Sequence, residues 1–72
     1  MPLYAFKAFR RIPDGPPLAT REAIFHAAND DRARIEAEGR TSTLAPGHFG
    51  VLSNPAGEQI WSQDSPAEPP DA

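Results

Sequence analysis

Thr20-Arg21-Glu22-Ala23-Ile24-Phe25-His26-Ala27-Ala28-Asn29-Asp30-Asp31-Arg32-Ala33-Arg34-Ile35-Glu36-Ala37-Glu38-Gly39 lies in the only long proline-free run of a 72-residue chain that carries nine prolines. It opens on a hydroxyl residue able to cap a helix and closes on glycine, a common helix terminator. Glu22 sits where the positive end of a helix dipole favours an anion. Asp30 and Arg34, like Glu36 and Arg40, stand one helical turn apart with the acid first. A helix over residues 20–39 is therefore expected. At about 100° per residue Ile24, Ala28 and Ile35 share a narrow arc, with Phe25 and Ala27 at its margins. Asp31 falls in the same arc, where a carboxylate must be paired or lie at the helix edge. The alternative is a break at Asn29-Asp30-Asp31 that resets the register. The continuous helix is preferred because a break leaves two pieces near the lower length for helices.

On the N-terminal side, Leu3 to Arg11 reads as a strand, crowded with aromatic and apolar residues and stopped by Pro13-Asp14-Gly15-Pro16-Pro17. Its side chains alternate: Leu3, Ala5, Lys7 and Phe9 on one face, Tyr4, Phe6, Ala8 and Arg10 on the other. Both faces carry large apolar groups, and one helix covers only one of them. Residues 12–19 form a proline-stiffened loop.

On the C-terminal side, His48 to Ser53 and Glu58 to Ser62 read as two strands joined by Asn54-Pro55-Ala56-Gly57. That order suits a type I turn leading into a glycine bulge. Ile60 and Trp61 are adjacent and are expected to point to opposite faces. From Gln63 onward the chain lacks apolar periodicity, and a flexible acidic tail is expected. The architecture that follows is an α+β domain of residues 1–62 in the order strand, helix, strand, strand. A three-stranded sheet carries one helix on one face, with the tail over residues 63–72. Parallel pairing of the first strand with a later one would require a right-handed crossover.

The chain has room for one small core and, without cysteine, no disulfide to supplement it. No apolar run resembles a signal peptide or a membrane span, so a soluble cytoplasmic protein is expected. The formal charge of −3 resides in Asp64, Glu68 and Asp71, while seven acidic and seven basic side chains balance in residues 1–62. Within that neutral part, Lys7, Arg10 and Arg11 make the first strand basic, and residues 20–39 are acidic. Separated patches of this kind suit a protein surface better than a general polyanion binder.

Catalytic patterns are missing. His26 and His48 have no third ligand at metal-motif spacing. Glu22 and His26 meet on a helix only as a solvated pair, worth a few tenths of a kcal/mol. Ser42, Thr43 and Ser53 lie outside any nucleophile-elbow pattern. Pro46-Gly47-His48-Phe49-Gly50 lacks the lysine and the following helix of a phosphate loop. No enzyme activity, cofactor or metal is expected.

A non-enzymatic protein-binding module is the leading expectation, one that could act as a steric inhibitor of a larger protein bearing an acidic or apolar patch. Inhibitors encoded by phages and mobile elements, anti-CRISPR proteins among them, share this size and economy, an analogy no residue carries. Tyr4, Phe6 and Trp61 would supply buried contacts, with Lys7, Arg10 and Arg11 steering the partner. One alternative is a homodimer joined through the uncovered sheet face. Another is single-stranded nucleic-acid binding on the basic, aromatic first strand, disfavoured because the domain is not net basic and the tail repels phosphate.

Overall fold

The computed structural model describes residues 1–66. Four strands and one helix follow the order β1 (Leu3–Arg10), β2 (Leu18–His26), α1 (Asp30–Ser42), β3 (His48–Ser53) and β4 (Gln59–Asp64). The strands form one sheet in the spatial order β2-β1-β3-β4, and every neighbouring pair is antiparallel. The small α+β class holds, but the sheet has four strands and begins with two of them. β1 has no parallel neighbour. Instead β2 and β3 run the same way on either side of it, and α1 spans from one to the other.

The departure lies in residues 18–26, which form β2 and not the first half of a helix. Tyr4 faces Phe25, Ala5 faces Ile24 and Lys7 faces Glu22 across the β1–β2 ladder. Ile24, Phe25 and Thr20 are β-branched or aromatic residues suited to a half-buried strand. Thr20 does not cap a helix; its hydroxyl donates to the Ala8 carbonyl at 3.2 Å, beside an irregularity in the register.

The break falls at the point where Asp31 made the long helix awkward. Asn29 is the N-cap, its Oδ1 accepting from the Arg32 amide at 2.9 Å. Asp30 and Asp31 therefore occupy the first turn, where the helix dipole favours carboxylates. Asp31 is exposed and pairs with Arg34. The helix passes through Gly39 to Ser42, and the Glu36–Arg40 pair forms as expected, at 3.0 Å.

The face that α1 lays on the sheet is a stripe of small residues: Ala33, Ala37 and Thr41, all fully buried. Ile24 and Ile35, expected in the core, are 59% and 60% exposed. Small side chains let the helix backbone come close to the sheet, and Gly50 of β3 is the point of closest approach. A Cβ there would stand 2.6 Å from Phe6 Cε1 and closer still to Thr41 Oγ1. Tyr4, Phe6, Ala8, Ala27 and Leu52 complete the core, with Phe25, Leu44, Ile60 and Trp61 packed against it.

The β3–β4 hairpin matches its expected turn. The Gly57 amide donates to the Asn54 carbonyl at 2.9 Å, Gly57 has φ of 86°, and Asn54 Oδ1 accepts from the amides of Ala56 and Glu58. The opposed orientation expected of Ile60 and Trp61 does not occur. Leu52 pairs with Trp61 and Ser53 with Gln59, which leaves Ile60 as an extra residue. Such a bulge cancels the alternation locally, and both side chains pack against the core.

β4 also outruns the expected end of the domain. Gln63 and Asp64 belong to the strand, and Ser65 exchanges hydrogen bonds with the His48 backbone. The rest of the expected tail, residues 67–72, lies outside the described residues. Among the described residues no helix is long and apolar enough to cross a membrane.

Candidate functional site: the open face of the sheet

Directly opposed residues in an antiparallel pair project from the same face. Because Tyr4, Phe6, Ala8 and Leu52 lie under α1, the ladders assign the remaining positions. The face away from the helix carries Leu3, Ala5, Lys7 and Phe9 of β1 beside Ile24 and Glu22 of β2 and Phe49, Val51 and Ser53 of β3. Asp64 of β4 stands opposite Phe49.

Two apolar areas result. In one, Phe9 and Phe49 stack with ring centroids 5.2 Å apart and planes 16° from parallel, and Val51 is their half-buried neighbour. In the other, Leu3 and Ile24 flank a groove of about 350 Å³ whose opposite wall is the turn Ser53-Asn54-Pro55. Leu3 and Ile24 are 46% and 59% exposed. Lys7 and Glu22 separate the two areas, 3.6 Å apart and each half-exposed. At the far end Arg11 lies 4.5 Å over the Phe49 ring and reaches Asp64 Oδ1 at 2.5 Å. Two cations and two anions thus pair with each other, and the face is apolar with internally balanced charge.

The six residues expected to bind a partner do not assemble. Tyr4 and Phe6 are 3% and 2% exposed beneath α1, so neither ring can meet a partner while the fold is intact. Tyr4 donates its hydroxyl to Asp30 Oδ1 at 2.6 Å. That hydrogen bond, then burial and the Asp30 charge, raise the phenol above its ordinary value of 10.0. Its ring stacks on Phe25 at 6.2 Å, and the Arg40 guanidinium lies 5.3 Å over Phe25. The first aromatics of β1 therefore anchor the helix start.

Trp61 faces the helix side with Leu52 and is half-buried. Arg10, paired with His48, projects to that side at the sheet's end. Only Lys7 and Arg11 reach the open face, and both are engaged there by carboxylates.

The open face instead presents Phe9, Phe49, Leu3 and Ile24, none of them among those six. Phe9 and Leu3 were legible as one face of β1, but which face the helix covers depends on bulk. Tyr4 and Phe6 together outweigh Leu3 and Phe9. Ile24 was hidden by its assignment to a helix.

Neither histidine is part of a cluster, and the described residues contain no group of three metal-ligating side chains. His26 Nδ1 donates to the Met1 carbonyl at 3.0 Å and His48 Nδ1 to the Ala45 carbonyl at 2.9 Å. Glu22 and His26, expected to touch on a helix, are about 13 Å apart along a strand. No family model, curated protein or solved structure matches this chain.

Proposed function

We propose that this chain is a non-enzymatic protein-binding module that engages its partner through the open face of the sheet and acts by occupying a surface of a larger protein. The observation that carries the reading is the half-buried Phe9–Phe49 stack on the face away from the helix, with Leu3 and Ile24 exposed in a second apolar area across the Lys7–Glu22 pair. Exposed apolar surface of this kind is what soluble proteins use for association. Aromatic rings framed by charged groups supply the centre and rim of such contacts.

The partner's chemistry follows from the pairing of Lys7 with Glu22 and of Arg11 with Asp64. A face whose charges are already neutralised recognises an apolar patch and not an acidic one. Long-range steering is weak, so association depends little on ionic strength.

The test is affinity capture from the source cell with four baits: the natural chain, Leu3→Ser, Phe9→Ser and Ile35→Ser. Ile35 is exposed on the helix side away from the sheet. A protein retained by the natural chain and by Ile35→Ser, but lost from Leu3→Ser and Phe9→Ser, supports the reading. Retention unaffected by either open-face substitution, with circular dichroism unchanged, overturns it.

A further inference from the structure

We propose that two copies of this chain pair edge to edge through antiparallel β2 strands, with Ile24 facing its own copy on the two-fold axis. This contact runs along the strand edge, shares Ile24 and Glu22 with the open face, and extends the sheet to eight strands. Among the described residues β2 is an edge strand whose only neighbour is β1. It runs for nine residues without proline or lysine, and none of its side chains is fully buried. Edges are normally blunted by proline, lysine, bulges or brevity. The opposite edge, β4, has six residues and a bulge at Ile60. β2 is regular over Arg21–His26, its irregularity confined to the end near Thr20, and the unpaired half of its backbone groups forms a template for another strand.

The side chains specify a second copy as the occupant. A two-fold axis normal to the sheet keeps each copy's faces aligned, and directly opposed side chains must share a face. One residue must therefore stand opposite itself. With Arg21 or Glu22 on the axis, like charges meet, which is destabilising. With Ala23 there, each Glu22 carboxylate would face the apolar Ile24 of the other copy. With Ile24 on the axis, Ile24 meets Ile24, Glu22 of each copy opposes His26 of the other, and Ala23 opposes Phe25.

Ile24 is 59% exposed in the single chain, and Glu22 and His26 flank it two residues away on the same face. An acid and a base placed symmetrically about an exposed aliphatic residue are complementary to their own antiparallel image. His26 Nδ1 is occupied by the Met1 carbonyl, which leaves Nε2 as the ring nitrogen available to the opposing Glu22.

The chain has no cysteine, so a single-cysteine scan reads the register directly. On the axis, facing Cα atoms would be about 4.5–5.5 Å apart, inside the range a disulfide spans. Ile24→Cys is expected to convert to a disulfide-linked dimer on mild oxidation, while Glu22→Cys and Ala23→Cys, whose copies lie diagonally, remain monomers on denaturing gels. The natural chain should sediment at twice 7.8 kDa at high concentration. Ile24→Lys, which sets two ammonium groups opposite each other, should sediment as a folded monomer with unchanged circular dichroism. A natural chain that stays monomeric at millimolar concentration, a dimer that survives Ile24→Lys, or faster cross-linking at position 22 or 23 than at 24 overturns the proposal. None of these readings uses the open-face partner, so the two proposals fail independently.

Discussion

Replacing Gly50 with alanine probes the closest approach of helix to sheet. The added methyl would sit 2.6 Å from Phe6 Cε1, 2.8 Å from Phe6 Cζ, and nearer still to Thr41 Oγ1. Phe6 and Thr41 are among the most fully buried side chains, so neither can swing away without moving its neighbours. Overpacking of this kind costs about 1–3 kcal/mol, and two simultaneous overlaps place Gly50→Ala near the upper end. Alanine restricts the unfolded chain more than glycine does and recovers about 0.5–1 kcal/mol. The net loss is about 2 kcal/mol, a large part of the roughly 3–5 kcal/mol a core of this size supplies. With a urea slope of about 1 kcal/mol per molar, the midpoint falls by about 2 M. The only tryptophan, Trp61, packs against the core and reports unfolding by its fluorescence. A double-mutant cycle with Thr41→Ala isolates the cause. Removing Oγ1 and its companion methyl should return about 0.5–1 kcal/mol of the Gly50→Ala loss as coupling. A Gly50→Ala midpoint within about 0.5 M of the natural chain, or strict additivity in the cycle, refutes the close-packing argument.

Three further outcomes follow from the helix and its contacts. Asn29→Ala removes the cap on the Arg32 amide and should cost about 1 kcal/mol, while Asn29→Asp keeps the acceptor and the stability; urea midpoints compare them. Thr41 Oγ1 is buried without a hydrogen-bond partner among the described residues, so Thr41→Val should raise stability by up to about 1 kcal/mol, and a lowered melting temperature would refute this. Tyr4, the only tyrosine, has a raised phenol, so the folded chain holds that proton more tightly than the unfolded one does. Its contribution to stability is complete below the ordinary value of 10.0 and is lost as pH rises through the folded value. Tyrosinate absorbance should therefore appear above the ordinary range, and Asp30→Asn should move it back down.

How far the fold is legible can be traced residue by residue. The β3–β4 hairpin was readable because its determinants are local: Asn54 supplies two acceptor contacts and Gly57 the positive φ. Residues 20–39 were not, because two patterns overlap there. Ile24, Ala28 and Ile35 satisfy a helical period, while Thr20, Ile24 and Phe25 are β-branched or aromatic residues that favour a strand. Local propensity does not choose between them. The choice is made by β1, whose backbone offers two edges and is satisfied only when β2 and β3 flank it. Asp31 was the one local signal of the break. It conflicted with a continuous apolar arc, and the conflict resolves by placing it in the first turn of a shorter helix.

The same choice decides which side chains lie on the open face. A long helix led by Ile24 and Ile35 would have covered the sheet with bulky residues and demanded spacious packing. The actual helix offers Ala33, Ala37 and Thr41, small enough to fit only if the sheet supplies the bulk, which Tyr4, Phe6 and Leu52 do. Their burial fixes the parity of β1 and thereby sends Leu3 and Phe9 to the opposite side. Among the described residues, with the one helix spent on one face of the four-stranded sheet, no element is left to cover the other face, and none covers the edge of β2. The apolar groups at those two places, the Phe9–Phe49 stack and Ile24, are thus consequences of one packing decision. Association at either surface would remove from water what the chain is too short to bury by itself.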